Sequence, residues 1–304
     1  MNPETPLRVA PEVDEALRSG RAVVALETTL VSHGFPAGEG ARVALDAERL
    51  VREAGAVPAT VGVVEGAIRV GLDEAELERF SAAPDARKVG PRDLAACAVQ
   101  GALGATTVGG TLAVCRAAGI SFMGTGGLGG VHRGFAESLD VSADLGELAR
   151  AEALVVASGA KSILDTAATA EVLETLGVPV LGWRTGTVPL FYSAAGGPPV
   201  SARVESAAEA AEVARLHWGL GRPGAIVLAR PPDESIDVEP LIAEGLREAD
   251  RRGVRGQEVT PFVLAFLHER SGGETLRVNR DLIVANAGLA AEVAVRFAAA
   301  RGPR

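Results

Sequence analysis

The sequence predicts an α/β fold: a single domain, built as a three-layer α/β/α sandwich around a central, largely parallel (mixed) sheet. Three observations carry that expectation. Apolar runs of strand length, such as Ala22–Leu26 and Leu154–Ala157, lack polar alternation and suit strands covered on both faces. They alternate with stretches of helical period, the pattern of βαβ units. No internal repeat, low-complexity tract or interdomain linker interrupts the 304 residues, whose core is expected over about 9–300.

In order, Val13–Ser19 reads as a short helix leading to the strand Ala22–Leu26, which ends at Glu27. The continuation to Pro36 places Glu27 and His33 around a turn at the strand's carboxyl end, the edge where open α/β sheets bind ligands. A helix over about Gly40–Ala54, strands Ala59–Val64 and Ala67–Val70, and helix Asp73–Ala82 follow. Arg87-Lys88-Val89 leads into helix Pro91–Leu103, strand Ala105–Val108, helix Thr111–Ala118 and strand Ile120–Met123. Helix Ser142–Ala151, strand Leu154–Ala157, helix Ser162–Leu176 and strand Val178–Leu181 continue the alternation. Residues 184–203, rich in Gly, Pro and Ser, read as a long excursion suited to a flap or a subunit contact. Helix Ala207–Trp218 and strand Ala225–Ala229 come next. Three helical pieces run from Glu239, the second opened by Thr260-Pro261 as N-cap and first helical residue.

Bulk properties exclude several classes. No apolar run reaches the ~18 residues of a bilayer span, and the N-terminal stretch lacks the pattern of a secretory signal. A net charge of −9 provides no electrostatic footprint for nucleic acid. Cys97 and Cys115 lie in apolar helical contexts, as buried thiols of a reducing compartment do. A cytoplasmic protein acting on a small anionic ligand is the expectation.

The chemistry is expected between Gly119 and Asp165. A strand there runs into a loop carrying Gly124, Gly126, Gly127, Gly129, Gly130 and Gly134, which frees backbone N–H groups to face an anion. Gly124 to Gly129 matches G-x-G-x-x-G, but no helix opens on the last glycine, so a phosphate or nucleobase loop is favoured over a dinucleotide site. Asp140 and Asp144 follow. They are too few for an all-protein metal cage, but one carboxylate with waters and a substrate phosphate suits Mg²⁺ or Mn²⁺. From spacing alone, helix capping before Leu145 serves equally well for these acids.

Lysine is nearly absent: of 30 basic residues only Lys88 and Lys161 are lysine. Arginine duplicates lysine's charge but cannot act as a neutral amine, so a retained lysine points to nucleophilic chemistry. Lys161 is expected where a strand ends and a helix opens at Ser162, a setting that favours the free amine. Glu27, ending a wholly apolar strand, is a candidate general acid, because burial raises a carboxyl pKa. His132 suits a loop or a ligand contact, and Asn286 sits mid-helix, where an amide is unfavourable unless it faces something polar.

Assembled, these stretches resemble the pseudouridine-5′-phosphate glycosidases, grouped with the indigoidine synthase A-like proteins. The resemblance lies in VVALETTLVSHGFP, GAVPATVGVVEG, Lys88-Val-x-x-Arg-Asp, GATTV, TGGLGGVHRG, DVSADL, GAKSILD, GVPVLGW and TPFVLA, over about residues 9–290. It implies reversible cleavage of the C–C glycosidic bond of pseudouridine 5′-phosphate to uracil and ribose 5-phosphate, with a divalent metal, usually Mn²⁺, in a homotrimer. It also implies Glu27 as proton donor, Lys161 as covalent nucleophile and Asp140 as metal carboxylate. Substrate contacts would fall on Lys88, Val108, Ser142, Ala143 and Asp144, with His132 and Asn286 at further site positions. Gly90-Pro91 departs from the family pattern beside Lys88 but leaves the lysine in place. Two other classes share some of these features: an aldolase-like lyase using the same lysine, and a non-catalytic nucleotide-binding module.

Overall fold

The computed structural model describes residues 6–83, 85–255 and 259–301. The chain opens with β1 (Leu7–Val9), α1 (Pro11–Arg18), β2 (Val23–Glu27), α2 (Thr29–His33) and α3 (Glu39–Glu53). Next come β3 (Val57–Val64), β4 (Ala67–Val70), α4 (Glu74–Ala82), β5 (Arg87–Val89), α5 (Leu94–Val99) and β6 (Gly104–Thr106). The glycine-rich region spans α6 (Val108–Ala118), β7 (Phe122–Gly124), β8 (Val131–His132), α7 (Phe135–Ser138) and α8 (Ala143–Leu148). β9 (Leu154–Ala157), β10 (Leu164–Asp165), α9 (Thr166–Thr175), β11 (Val180–Trp183) and β12 (Ala202–Val204) follow. The chain closes with α10 (Ala207–Gly219), β13 (Ile226–Ala229), α11 (Glu239–Arg251), α12 (Val259–Arg270) and α13 (Glu274–Arg301).

Eleven strands form one mixed sheet in the order β1-β4-β3-β2-β7-β9-β13-β11-β12, with β6 also paired to β3 and β5 to β6. β3 pairs antiparallel with β4 and β6; the other pairings in this sheet are parallel. Two-residue alternation divides the buried strands between two cores. Val23, Ala25, Val155 and Ala157 enter the core with Leu112, Leu145 and Leu173. Val24, Leu26, Leu154 and Val156 enter the opposite core with Ala47, Ala210 and Ala291. The predicted three-layer arrangement follows directly from that division.

α13 is the central helix of the second layer, packed on α3, α10 and strands β7, β9 and β2. Its residues Glu274–Ala300 are long and apolar enough to cross a bilayer, which reading the sequence for unbroken apolar runs did not register. Of its most apolar 18-residue window, 61% is buried within the molecule, the environment of a core helix. Gly124 permits the close approach, since a Cβ there would lie 2.7 Å from the Cα of Ala287.

Several elements differ from the sequence expectation. Helix Pro91–Leu103 resolves into a 3-10 turn over Pro91–Asp93 and a short α5, with Gly101 left-handed (φ 63°) just beyond it. Val108 opens a helix instead of ending a strand, because the Thr107 hydroxyl accepts the Gly110 N–H at 3.1 Å as N-cap. No helix starts at Ser162. Leu164 N–H closes a turn on the Lys161 carbonyl at 2.9 Å, β10 pairs with β8, and Asp165 caps α9. The helix end expected beside Lys161 therefore lies beyond that turn and strand. α12 begins at Val259, one residue before the expected cap; the side chain of Thr260 lies outside the described residues.

Candidate active site

Neighbouring parallel strands β2, β7 and β9 bring three groups to one carboxyl edge: Glu27, Thr125 and Lys161. Glu27 is 3% exposed. Burial pushes its carboxyl above the ordinary glutamate range, and Asp144 adds to the rise. Lys161, Thr125, whose hydroxyl donates to Glu27 Oε1, and Lys88 hold it back. Lys161 follows β9 across a short extension in which Leu128 N–H donates to the Gly159 carbonyl and Lys161 N–H to the Leu128 carbonyl, both at 3.0 Å. The glycine loop and the lysine segment thus support each other through backbone.

Two cavities meet at the lysines. The first, about 500 Å³, is lined by Glu27, Thr125, Phe191, Leu264, Asn279 and Ile283. The second, about 380 Å³, is lined by Thr107, Gly129, His132, Asp140, Ser142 and Ala143. Lys88 and Lys161 line both. One cavity sets apolar side chains beside a buried acid, an amide and charged groups at Asp85 and Arg87; the other presents backbone, hydroxyl, imidazole and carboxylate groups.

Asp144 also lines the second cavity, but its carboxylate is already engaged, accepting the Gly109 N–H at 2.7 Å and the Gly129 N–H at 2.8 Å. It fastens the start of α6 to the glycine loop. Ser142, not an acid, caps α8. Gly129 tolerates no side chain: a Cβ would stand 2.2 Å from Ser142 Oγ and 2.6 Å from Asp144 Oδ2.

His132 Nδ1 stands 3.8 Å from Asp140 Oδ2. Burial lowers the imidazole pKa, Asp140 opposes this, and both lysines reinforce it. No group of three or more His, Cys, Asp and Glu is placed to hold a metal among the described residues. The donor set around Asp140 is one accessible carboxylate in a polar cavity, which fits a hard, largely hydrated cation and not a closed zinc cage.

Val108 and Asn286 line neither cavity. Val108 is buried at the start of α6, beside Thr107. Asn286 stands behind the glycine loop, its Nδ2 donating to the Thr125 carbonyl at 2.8 Å and to Ser158 Oγ at 3.1 Å. The lining group the sequence reading missed is Asn279. It is 5% exposed and sits two helical turns before Asn286, on the same face of α13. It lines the first cavity. The mid-helix amide that singled out Asn286 was equally visible there. Phe191 came from the 184–203 excursion, which docks through Phe191 N–H on the Ser158 carbonyl at 3.0 Å.

The family profile described as indigoidine synthase A like protein matches residues 12–296. The chain belongs to the indigoidine synthase A-like family. A pseudouridine-5′-phosphate glycosidase of Salinispora tropica is 51% identical, covering 96% of this chain and 92% of that protein. One of Chloroflexus aurantiacus is 48% identical, covering 96% and 98%. Among solved structures, the prealnumycin C-glycosynthase AlnA in complex with ribulose 5-phosphate aligns with a TM-score of 0.90 at 39% identity, over 99% of this chain and 100% of that one. An indigoidine synthase A-like protein of Thermotoga maritima aligns at 0.88 and 36% identity, over 97% of both chains.

Proposed function

We propose that this chain reversibly cleaves the C–C glycosidic bond of pseudouridine 5′-phosphate to uracil and ribose 5-phosphate. The observation that carries the reading is Lys161 standing between two unlike cavities, one of which holds a buried acid. The names of the relatives supply the substrate. A flat base with a hydrogen-bonding edge suits the cavity of Phe191, Ile283 and Asn279, and a sugar phosphate suits the polar cavity of Lys88, His132 and Ser142.

A carbon leaving group offers no heteroatom to protonate, so the usual glycosidase route between two carboxylates does not apply. Glu27, its carboxyl pKa raised by burial, donates its proton to the ribose ring oxygen as the bond from that oxygen to C1′ breaks. Lys161 Nζ adds to C1′. The proton shed by the new Lys161 ammonium adds to the uracil carbon; the C–C bond then breaks, uracil leaves, and the nitrogen lone pair forms the protonated C1′ imine. Water hydrolyses the imine, releasing ribose 5-phosphate and regenerating the amine. Asp140, with waters and the substrate phosphate, would hold a divalent cation, Mn²⁺ or Mg²⁺. When bound, that cation supplies positive charge that orients the phosphate.

The homotrimer and the cytoplasmic setting belong to the same reading. Exposed Phe135, Leu139 and Val141, flanking Asp140 in sequence, offer an apolar edge for a subunit contact. The deciding assay is uracil release from pseudouridine 5′-phosphate with ribose 5-phosphate appearing in equal amount. An aldolase-like lyase or a binding module releases no uracil, and that result would overturn the reading.

A further inference from the structure

Arg133 lines neither of the two cavities that meet at Lys161; it lines another with Ser162 and Glu239. Nη2 donates to the Ser162 carbonyl at 3.1 Å and Nε to the Leu164 carbonyl at 3.4 Å. Both carbonyls belong to the turn that starts at Lys161 and is closed by Leu164 N–H on the Lys161 carbonyl. The far end of the turn, β10, pairs with β8, the strand that ends one residue before Arg133. Glu239, the first residue of α11, grips the same guanidinium with contacts of 2.6 and 3.0 Å. Four contacts to one side chain suit the rigid fork of arginine; a lysine ammonium has no such geometry.

We propose that Arg133 is a positioning residue for Lys161, holding the Lys161–Leu164 turn so that the amine projects between the two cavities. This rests on the reading of Lys161 as the nucleophile. The ion pair itself is too exposed to matter much for stability, with side chains 36% and 61% accessible. What the pair does is orient the guanidinium. Among the described residues the turn has few other side-chain anchors, and the Ser162 hydroxyl is buried there without a hydrogen-bond partner. α11 packs on α12, which contributes Pro261 and Leu264 to the first cavity. The clamp therefore ties the nucleophile's turn to the helices that wall the other ligand pocket.

The test measures the rate at which borohydride traps the enzyme with ribose 5-phosphate in single turnover, together with KM and kcat. Arg133→Met should form the trapped adduct about 10- to 100-fold more slowly, the scale of a misplaced reacting group, with KM changed less than about threefold. Arg133→Lys, which keeps the charge opposite Glu239, should recover only part of that rate. Trapping by Arg133→Met within about twofold of wild type would overturn the proposal. If Arg133→Met does not fold, Arg133→Lys decides alone: a wild-type rate overturns the positioning role and a slower rate at unchanged KM supports it. A wild-type enzyme that gives no adduct is a separate outcome, since it removes the Lys161 reading and this proposal with it.

Discussion

Thr125 donates its hydroxyl to the carboxyl of Glu27, and both groups are sealed from solvent. That bond lowers the carboxyl pKa against the larger upward push of burial. Thr125→Val should therefore raise it further, and the alkaline limb of the kcat/KM profile should move to higher pH. Glu27→Gln should bind substrate but lose roughly 10²–10⁴-fold in turnover. The stability sign follows from the raised pKa: the neutral carboxyl favours the fold below the ordinary glutamate range, and that contribution is lost as pH rises through the folded-state pKa. Glu27→Gln should thus resist alkaline unfolding better than wild type. An alkaline limb that stays put or moves down in Thr125→Val contradicts this account.

Asp144 should behave as a structural clamp. Asp144→Asn offers the two amides of Gly109 and Gly129 a single acceptor, leaving a buried donor unpaired at a cost of about 1–3 kcal/mol. Urea unfolding should show the loss, with substrate affinity falling as the glycine loop loosens. Unchanged stability would mean the loop is held by other contacts.

Asp140 should be the reverse case. Its side chain is 36% accessible and joins no buried network, so Asp140→Ala should keep the wild-type Tm while losing activity and divalent-cation binding. Full wild-type activity after exhaustive chelation removes the cation from the reaction.

Asn279 carries an amide donor and acceptor toward the first cavity, matching the imide edge of a uracil ring. In the synthetic direction Asn279→Ala should raise KM for uracil about 5- to 20-fold, the worth of one or two hydrogen bonds, without changing KM for ribose 5-phosphate. Equal effects on both substrates would assign Asn279 to loop support.

Much of the fold was legible because burial on both faces leaves Leu154–Ala157, and β2 as far as Leu26, apolar throughout. Glu27 and Lys161 were legible as the polar residues that follow such runs. Boundaries failed where local hydrogen bonding outweighed pattern: Thr107 capped a helix inside an apparent strand, and β10 pairing with β8 took residues expected to be helical. Asn279 carried the same mid-helix amide signal as Asn286 and was passed over. Phe191 was missed for another reason: its meaning lies in what the 184–203 segment faces across the molecule, which no local spacing encodes.

The central claim is that Lys161 forms a covalent imine with the sugar phosphate. Borohydride reduction during turnover, followed by mass spectrometry of the digested protein, tests it most directly. The account predicts a stable ribose 5-phosphate adduct on the peptide containing Gly159-Ala160-Lys161-Ser162, and a folded, inactive Lys161→Arg that gives none. An adduct mapped to Lys88 would exchange the roles of the two lysines. No adduct in wild type, together with an active Lys161→Arg, would contradict the imine mechanism.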